Sequence, residues 1–196
     1  MTTIFNTPLL SKFLQLLAIL SLRLTGWRVL GQLPDLPKYV LIGAPHTSNW
    51  DFMLFLGVIF KLGANVRYMG KAEIFRSPLG FFFRYCGGIP VDRSKSTGLV
   101  EQMVQACQTS ERFILTIAPE GTRHHVVGWK HGFYHIAAGA GIPIVLAVVD
   151  GKQKTVQVGK VFHPTGDVDA DLPVIQGFFA GKQGINPRRK YITLQS

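Results

Sequence analysis

A histidine and an aspartate five positions apart, His46 and Asp51, have types and spacing that suit acid–base chemistry. The histidine follows a short apolar run, and the aspartate opens an amphipathic segment. A carboxylate that hydrogen-bonds one imidazole nitrogen fixes the tautomer of the ring and leaves the other nitrogen to accept a proton. The pair is therefore a candidate for an oriented general base.

Two predicted elements would position this pair. Residues 39–43 are continuously apolar and lie between prolines, which predicts a short buried strand. Residues 49–62 have helical spacing and a polar N-cap candidate, which predicts a helix. His46 then falls in the loop between strand and helix, and Asp51 falls in the first helical turn. From that turn the carboxylate can reach back to the imidazole ring.

The same stretch also has a purely structural interpretation. Ser48 and Asp51 fit a capping box, in which the acidic side chain accepts a hydrogen bond from a backbone amide at the helix start. An isolated loop histidine commonly has no catalytic role, because a short motif match has a high false-positive rate. The pair alone leaves helix capping and catalysis open.

The whole chain has 196 residues, enough for one domain with a sizeable core. Its 21 lysines and arginines against 11 acidic residues give a net charge of +10, which favours an anionic partner such as lipid headgroups, a phosphorylated substrate or nucleic acid. A 47% hydrophobic content with 16% charged residues indicates an exposed apolar surface or a membrane-seated segment. Cys86 and Cys107 have no CxxC spacing, which argues against a disulfide scaffold and fits a reducing compartment.

The N-terminal stretch over residues 9–30 is strongly apolar, carries basic residues and contains no acidic ones. Its uncharged part, residues 13–22, is shorter than the ~20 residues that cross a bilayer, and no signal-peptide cleavage site follows it. We predict a helix that lies in or against an anionic membrane surface; a helix packed on the protein's own core is the alternative. The predicted organisation is a membrane-associated helical segment over 1–34 and one domain over 35–196. Such a protein would be peripheral or monotopic on the cytoplasmic face of a membrane.

Strand-like and helix-like segments alternate through the rest of the chain. Strands are predicted over residues 67–70, 89–91, 112–118 and 144–149, with an edge strand over 155–161, and helices over 77–85, 96–110 and 130–140. The alternation predicts a single-domain α/β sandwich with a largely parallel mixed sheet, preceded by the apolar N-terminal helix. Sites in such sheets gather at the carboxyl ends of the strands. His46 and the turn that follows strand 112–118 are therefore expected to meet at one edge.

That turn has the sequence Pro119-Glu120-Gly121-Thr122-Arg123. Pro119 and Gly121 suit a type I turn, so the segment has a structural explanation of its own. Functionally, a glycine lets backbone N–H groups approach an anion, and Arg123 offers a forked donor to a phosphate. Arg93 follows another predicted strand and would bring a second guanidinium to the same face. The two arginines form a candidate phosphate clamp.

Four short motifs occur in order between residues 46 and 145. They are His46-x4-Asp51; a stretch with Lys71, Glu73, Pro78, Gly80 and Gly88-Ile89-Pro90-Val91-Asp92-Arg93; Pro119-Glu120-Gly121-Thr122-Arg123; and Gly141-Ile142-Pro143-Ile144-Val145, with Lys130 and Gly132 ahead of the last. In order and spacing they resemble the signature blocks of the glycerolipid acyltransferases, the family of glycerol-phosphate and lysophosphatidate acyltransferases. One such motif is a weak signal, whereas four ordered motifs are a strong one.

The resemblance implies transfer of a fatty acyl group from an acyl-CoA or acyl-carrier-protein thioester to the hydroxyl of a lysophospholipid. Lysophosphatidate is the favoured acceptor, and another lysolipid is the alternative. His46 would be the general base and Asp51 the acid that orients it, with direct attack and no acyl-enzyme; in agreement, the sequence has no Gly-x-Ser-x-Gly elbow. No cofactor is implied. The resemblance links Arg93, Glu120 and Gly121 to the acceptor's glycerol-phosphate group, with Arg123 assisting, and Thr122 is a further substrate-binding position. It links Pro143 to acyl-donor binding or to catalysis.

Three other classes of function compete with this interpretation. His131 and His135 share a helix face, and with His124-His125 they could bind zinc in a hydrolase, but no HExxH motif or cysteine pair accompanies them. The basic stretch 187–191 permits nucleic-acid binding, yet no recognised binding motif is present. A non-catalytic protein that binds anionic lipids is the third alternative. We predict an enzyme with no metal and no nucleic-acid partner, acting at an anionic membrane surface.

Overall fold

The computed structural model describes residues 2–91, 98–121 and 128–186. The strands in these ranges are β1 (Arg28–Leu30), β2 (Lys38–Ala44), β3 (Val66–Lys71), β4 (Gly88–Val91), β5 (Phe113–Ile117), β6 (Ile144–Asp150) and β7 (Thr155–Phe162). The helices are α1 (Leu10–Leu24), α2 (Trp50–Leu62), α3 (Ala72–Arg76), α4 (Gly80–Tyr85), α5 (Leu99–Gln108), α6 (Gly132–Ala140) and α7 (Val168–Gly177).

The seven strands form one sheet in the order β1-β7-β6-β2-β5-β3-β4. Neighbouring strands run parallel except β6 and β7, which are antiparallel. The predicted α/β sandwich with a largely parallel mixed sheet is confirmed. Because β2, β5, β3 and β4 are parallel, the loops that follow them leave the sheet at the same carboxyl edge.

The central strand β2 explains why its sequence is continuously apolar. Val40 and Ile42 point into a core shared with α5, α6 and α7, while Tyr39 and Leu41 point into a core shared with α1 and α2. A strand of a parallel sheet is covered by helices on both faces, so both sets of alternating side chains are buried. The strand that precedes His46 is therefore buried on both of its faces.

The two ends of the chain differ from the prediction. The strand predicted over residues 155–161 is present as β7, but its predicted position at the edge of the sheet is wrong, because β1 pairs in parallel with β7 and covers it, with Arg28 opposite Thr155. The strand β1 comes from the apolar stretch predicted as wholly helical, and Gly26 at φ 77° turns the chain between α1 and β1. The helix α7 has no predicted counterpart, since Pro173 interrupts its helical pattern.

The helix α1 packs on α2 and also exposes an apolar face. Ala18 and Leu22 are buried, and Leu22 lies close enough to Gly57 that a Cβ there would be 3.5 Å from Leu22 Cδ2. No helix in the described ranges has the length and hydropathy to cross a bilayer. The large apolar side chains that stay exposed on α1 and just before it include Leu9, Phe13, Leu16, Leu17, Leu20 and Leu24.

Candidate active site

The imidazole of His46 and the carboxylate of Asp51 are in contact at the carboxyl edge of the sheet. His46 lies in the loop after β2 and Asp51 in the first turn of α2, and Nδ1 is 3.0 Å from Oδ2. The histidine side chain is 28% exposed and the aspartate side chain 9% exposed, so the ring reaches solvent while its partner does not. Since Asp51 engages Nδ1, proton transfer with a substrate would use Nε2.

The Asp51 carboxylate also accepts the Ser48 backbone bond of the predicted capping box, just ahead of α2. Its Oδ2 atom accepts the backbone N–H of Thr47 at 2.6 Å and that of Ser48 at 2.7 Å. The capping interpretation and the orienting interpretation therefore apply to the same oxygen atom. Two backbone donors fix the carboxylate in place, and the fixed carboxylate in turn orients the His46 ring.

Glu120 joins this pair from the loop after β5. The N–H of Gly121 donates to Ala118 O at 3.0 Å, which closes the turn, and the backbone N–H of His46 donates to Glu120 Oε1 at 3.2 Å. Glu120 is 3% exposed. Its burial raises the pKa of the carboxyl to about 7, although hydrogen bonds from its own amide and from that of His46 act to lower it.

Two buried carboxylate oxygens beside the His46 loop are unsatisfied. Among the described residues, Glu120 Oε2 and Asp51 Oδ1 have no hydrogen-bond partner. A buried polar atom without a partner is uncommon in proteins and often marks a functional site. The arrangement brings one histidine and two acidic side chains together at the carboxyl edge of the sheet.

Lys130 is a further candidate site residue, which the sequence indicates only as a motif position. Its N–H donates to Pro119 O at 2.8 Å, which brings the start of α6 against the turn. Its side chain lies across Gly121, where an added Cβ would be 2.9 Å from Lys130 Cδ. Gly121 has φ 65°, a conformation that favours glycine. An exposed ammonium group is thus held over the turn that carries Glu120.

Comparison with known proteins identifies the family. A family model described as Acyltransferase matches residues 30–149, well over half of the chain. The matched range contains His46, Asp51 and Glu120. The chain belongs to the acyltransferase family.

Curated relatives of the chain bear the name 1-acyl-sn-glycerol-3-phosphate acyltransferase. The enzyme of Limnanthes alba is 30% identical over 54% of this chain and 39% of its own length. The enzyme of Saccharomyces cerevisiae is 32% identical over 57% of this chain and 38% of its own length. The alpha enzyme of Ovis aries is 28% identical over 61% of this chain and 42% of its own length. The chain thus spans about two fifths of the length of these relatives.

A solved structure shares the fold of this acyltransferase-family chain. It is the 1-acyl-sn-glycerophosphate (LPA) acyltransferase PlsC from Thermotoga maritima, with a TM-score of 0.63 and 14% sequence identity. The match covers 87% of this chain and 76% of that one. The similarity extends beyond the family-model match and includes most of the sheet and its helices.

Three of the predicted substrate-binding residues, Arg93, Thr122 and Arg123, lie outside the described residues. The chain enters these stretches from Val91, the last residue of β4, and from Gly121. Val91 ends a strand at the same carboxyl edge as His46, because β3 pairs in parallel with both β4 and β5. The roles of these three residues stay predictions.

Pro143 lies far from the His46 pair. It precedes β6, and its carbonyl oxygen accepts the N–H of Val40 at 3.0 Å. In the parallel register, Ile144 is opposite Val40 and Val148 is opposite Ala44, so Pro143 is at the amino edge of the sheet. At ~3.3 Å per residue, the strand separates the two edges by roughly 15 Å. The structure does not bring Pro143 together with His46, Asp51 and Glu120.

The second motif contains Gly80 and Gly88, and these glycines, together with Gly70 just before the motif, have a packing explanation. A Cβ on Gly88 would lie 2.7 Å from Phe75 Cζ, a Cβ on Gly70 would lie 2.7 Å from Phe75 Cε2, and a Cβ on Gly80 would overlap the Phe75 backbone. These positions require glycine because the buried Phe75 ring and its backbone fill the space that a side chain would need. Their spacing positions α3 and α4 against β3 and β4.

The zinc alternative has an incomplete ligand set in the described ranges. The rings of His131, just before α6, and His135, on α6, have centroids 6.5 Å apart. Over the parts of the chain that the structure describes, no three histidine, cysteine or acidic side chains form a group suited to a metal ion. His124 and His125 lie outside these parts. The absence of a metal remains a prediction that elemental analysis would test.

Proposed function

We propose that this chain is an O-acyltransferase that moves a fatty acyl group from an acyl thioester to the hydroxyl of a lysophospholipid. The observation that carries this proposal is the cluster of His46, Asp51 and Glu120 at the carboxyl edge of the sheet in a chain of the acyltransferase family. The name borne by its curated relatives favours a 1-acylglycerol 3-phosphate, lysophosphatidate, as the acceptor.

In the proposed mechanism His46 is a general base in direct acyl transfer. Asp51 accepts from Nδ1–H, so Nε2 takes the proton of the acceptor hydroxyl. The hydroxyl oxygen forms the new ester bond to the thioester carbonyl carbon, the C–S bond breaks, and the thiolate leaves with the proton returned by His46. Base catalysis of this kind contributes about 10²–10⁴-fold, and alignment of the two substrates contributes further.

The basic residues near the turn would bind the acceptor's phosphate. The Lys130 side chain lies over Gly121, the residue that follows Glu120, and is exposed. We propose that Lys130 binds this phosphate together with Arg93 and Arg123, the arginines expected from the sequence. The net charge of +10 favours this anionic substrate and an anionic membrane alike.

The exposed apolar face of α1 supports a membrane-seated location. Leu9, Phe13, Leu16, Leu20 and Leu24 follow a spacing of three or four residues and so form one stripe along the helix. We propose that this stripe inserts into the boundary between headgroups and acyl chains, with residues 1–34 as the membrane-associated segment and 35–196 as the acyltransferase domain.

Further apolar side chains are exposed at α4, which is bonded to the chain before α1. Ile4, just before α1, donates its N–H to Tyr85 O at 2.9 Å, which joins the chain before α1 to α4. Leu79 and Phe81, at the start of α4, are largely exposed.

A location on the cytoplasmic face of a membrane is favoured because Cys86 and Cys107 are both free thiols.

The test is thiol release from a long-chain acyl-CoA, with and without lysophosphatidate, for the wild type and for His46→Ala. Release that requires both the acceptor and His46 would support the proposal. Release without an acceptor would indicate a thioesterase instead. If acyl-CoA gives no release, the same assay with an acyl-carrier-protein donor and with other lysolipids separates a wrong substrate from a wrong reaction.

A further inference from the structure

A short segment after α7, residues 183–186, lies against the loop that carries His46; we refer to it as the 183–186 strap. The backbone N–H of Asn186 donates to Thr47 Oγ1 at 3.1 Å, across 139 positions of the sequence. Thr47 directly follows His46 and is buried. The family-model match ends at residue 149, so the strap lies outside the part of the chain that the family model matches.

Gly184 brings the strap backbone into direct contact with Thr47. A Cβ added to Gly184 would lie 2.8 Å from Thr47 Cβ and would overlap the Thr47 hydroxyl. Gly184 is itself buried. A side chain at this position would therefore push Thr47 or the strap aside, since backbone and Cβ atoms cannot rotate away.

The other side of the strap is fixed to the end of β6. The N–H of Gly151 donates to Gln183 O at 2.7 Å, and a Cβ on Gly151 would lie 2.7 Å from the carbonyl carbon of Gly184. Lys182 Nζ lies 3.4 Å from Asp150 Oδ2 just before the strap. The strap is thus held between the turn after β6 and the His46 loop.

Thr47 connects the strap to the proposed catalytic pair. Its N–H donates to Asp51 Oδ2 at 2.6 Å, and the same oxygen is 3.0 Å from His46 Nδ1. The geometry points to Gly184 and Asn186 as positioning residues for acyl transfer: they hold Thr47, and Thr47 holds the Asp51 carboxylate against His46. This inference rests on the proposed role of His46 as the base.

The experiment measures kcat and the KM of both substrates in the thiol-release assay for three variants of the full chain. Thr47→Val removes the hydroxyl that accepts from Asn186 but keeps the shape of the side chain. Thr47→Ser keeps the hydroxyl. Gly184→Ala adds a methyl group against Thr47, and its matched control is Gly177→Ala, because an added Cβ on Gly177 has no atom within 4 Å.

We expect Thr47→Val and Gly184→Ala to lower kcat by about 10- to 100-fold while both KM values stay within about 2-fold, because a small misplacement of a catalytic group slows the reaction without weakening substrate binding. Thr47→Ser should recover most of the kcat that Thr47→Val loses. A thermal melt of each variant separates misplacement from unfolding. Should Gly184→Ala not fold, the Thr47 pair still tests the inference.

Several outcomes would overturn the positioning role. One such outcome is that His46→Ala abolishes transfer while Thr47→Val and Gly184→Ala both keep the wild-type kcat. This result would overturn the positioning role of the strap and leave the proposed function intact. A loss confined to KM, an equal loss in Gly177→Ala, or no recovery in Thr47→Ser would do the same. Wild-type enzyme that shows no His46-dependent transfer would overturn the proposed function and the positioning role together.

Discussion

The backbone amide of His46 donates to the side chain of Glu120 at 3.2 Å and so joins two loops that are 74 residues apart in sequence. The bond connects the loop after β2 to the turn after β5, which are neighbouring parallel strands. It holds a buried acid beside the proposed base. Because Glu120 is buried and bonded to the backbone that carries His46, its protonation state matters for stability.

The stability of the protein should fall as the pH rises through the range in which Glu120 ionises. Burial raises the pKa of Glu120 from 4.5 to about 7, so between these values the folded state binds more protons than the unfolded state. Glu120 then opposes folding increasingly from pH ~4.5 upward, by about 3 kcal/mol once the pH exceeds ~7.

Urea unfolding of the wild type and of Glu120→Gln, at several pH values from 4.5 to 8, measures this effect. Glutamine keeps an oxygen to accept from His46 N–H but cannot ionise. The wild type should lose about 3 kcal/mol more than the variant over this range. If the unfolding free energies of the two proteins change with pH in the same way, Glu120 does not have the raised pKa.

Asp51→Asn should lower kcat by about 10²–10⁴-fold with little change in thermal stability. Asparagine retains an oxygen for the amides of Thr47 and Ser48, so the cap of α2 survives, but it lacks the charge that stabilises the His46 imidazolium. Asp51→Ala is the matched variant, because it should lose kcat and also about 1 kcal/mol of stability through the lost cap. A kcat near that of the wild type in Asp51→Asn would leave Asp51 with a capping role alone.

Lys130→Ala should raise the KM for a phosphate-bearing acceptor by about 10-fold, in keeping with the loss of one charge-assisted hydrogen bond. The KM for the acyl donor should stay within about 2-fold. Lys130→Arg keeps the positive charge and is the control. An acceptor KM unchanged by Lys130→Ala, or donor and acceptor KM values raised alike, would remove the headgroup assignment.

The strand-to-helix loop that carries His46 could be predicted because its signals are local. An apolar run, a polar cap and a helical spacing define β2 and α2 within a short stretch. The meeting of this loop with the Glu120 turn also follows from the sequence, since both loops come after parallel strands. The hydrogen bond itself depends on loop geometry that no spacing encodes.

For Pro143, the substrate role implied by the motif resemblance disagrees with the position of the residue relative to its strand. The first and third motifs follow their strands, whereas Pro143 precedes β6. The rule that places His46 at the carboxyl edge therefore places Pro143 at the amino edge, and the register of β2 and β6 agrees with that rule. A resemblance between motifs does not state which side of a strand a residue occupies.

The contacts of Lys130 and Gly184 could not be predicted for a different reason, although Lys130 is recognisable as a motif position. The Lys130 side chain lies across Gly121, and Gly184 lies against Thr47, which is distant in sequence. A side chain that folds back over a turn, or a glycine that permits close backbone approach, has no periodicity to detect. The three-residue strand β1 is likewise too short for its pattern to differ from the end of a helix.

Charges placed on the exposed stripe of α1 should weaken binding to anionic vesicles. Leu16 and Leu20 are one turn apart on α1 and are 68% and 53% exposed, so glutamate at both positions disturbs no core contact. Each leucine that inserts into lipid contributes roughly 1.5–3 kcal/mol, and glutamate adds repulsion from the headgroups, so the affinity of Leu16→Glu/Leu20→Glu should fall at least about 10-fold.

Val174→Glu is the matched control in the vesicle experiment. Val174 is 54% exposed, a fraction similar to that of Leu20. It lies on α7, which packs on the opposite face of the sheet from α1. Cosedimentation with phosphatidylglycerol vesicles should retain Val174→Glu and release the double variant. Equal binding by both would mean that α1 does not seat the protein in the membrane and that its apolar stripe contacts something else. Thiol release from monomeric short-chain substrates should be the same in both variants, because neither site touches His46.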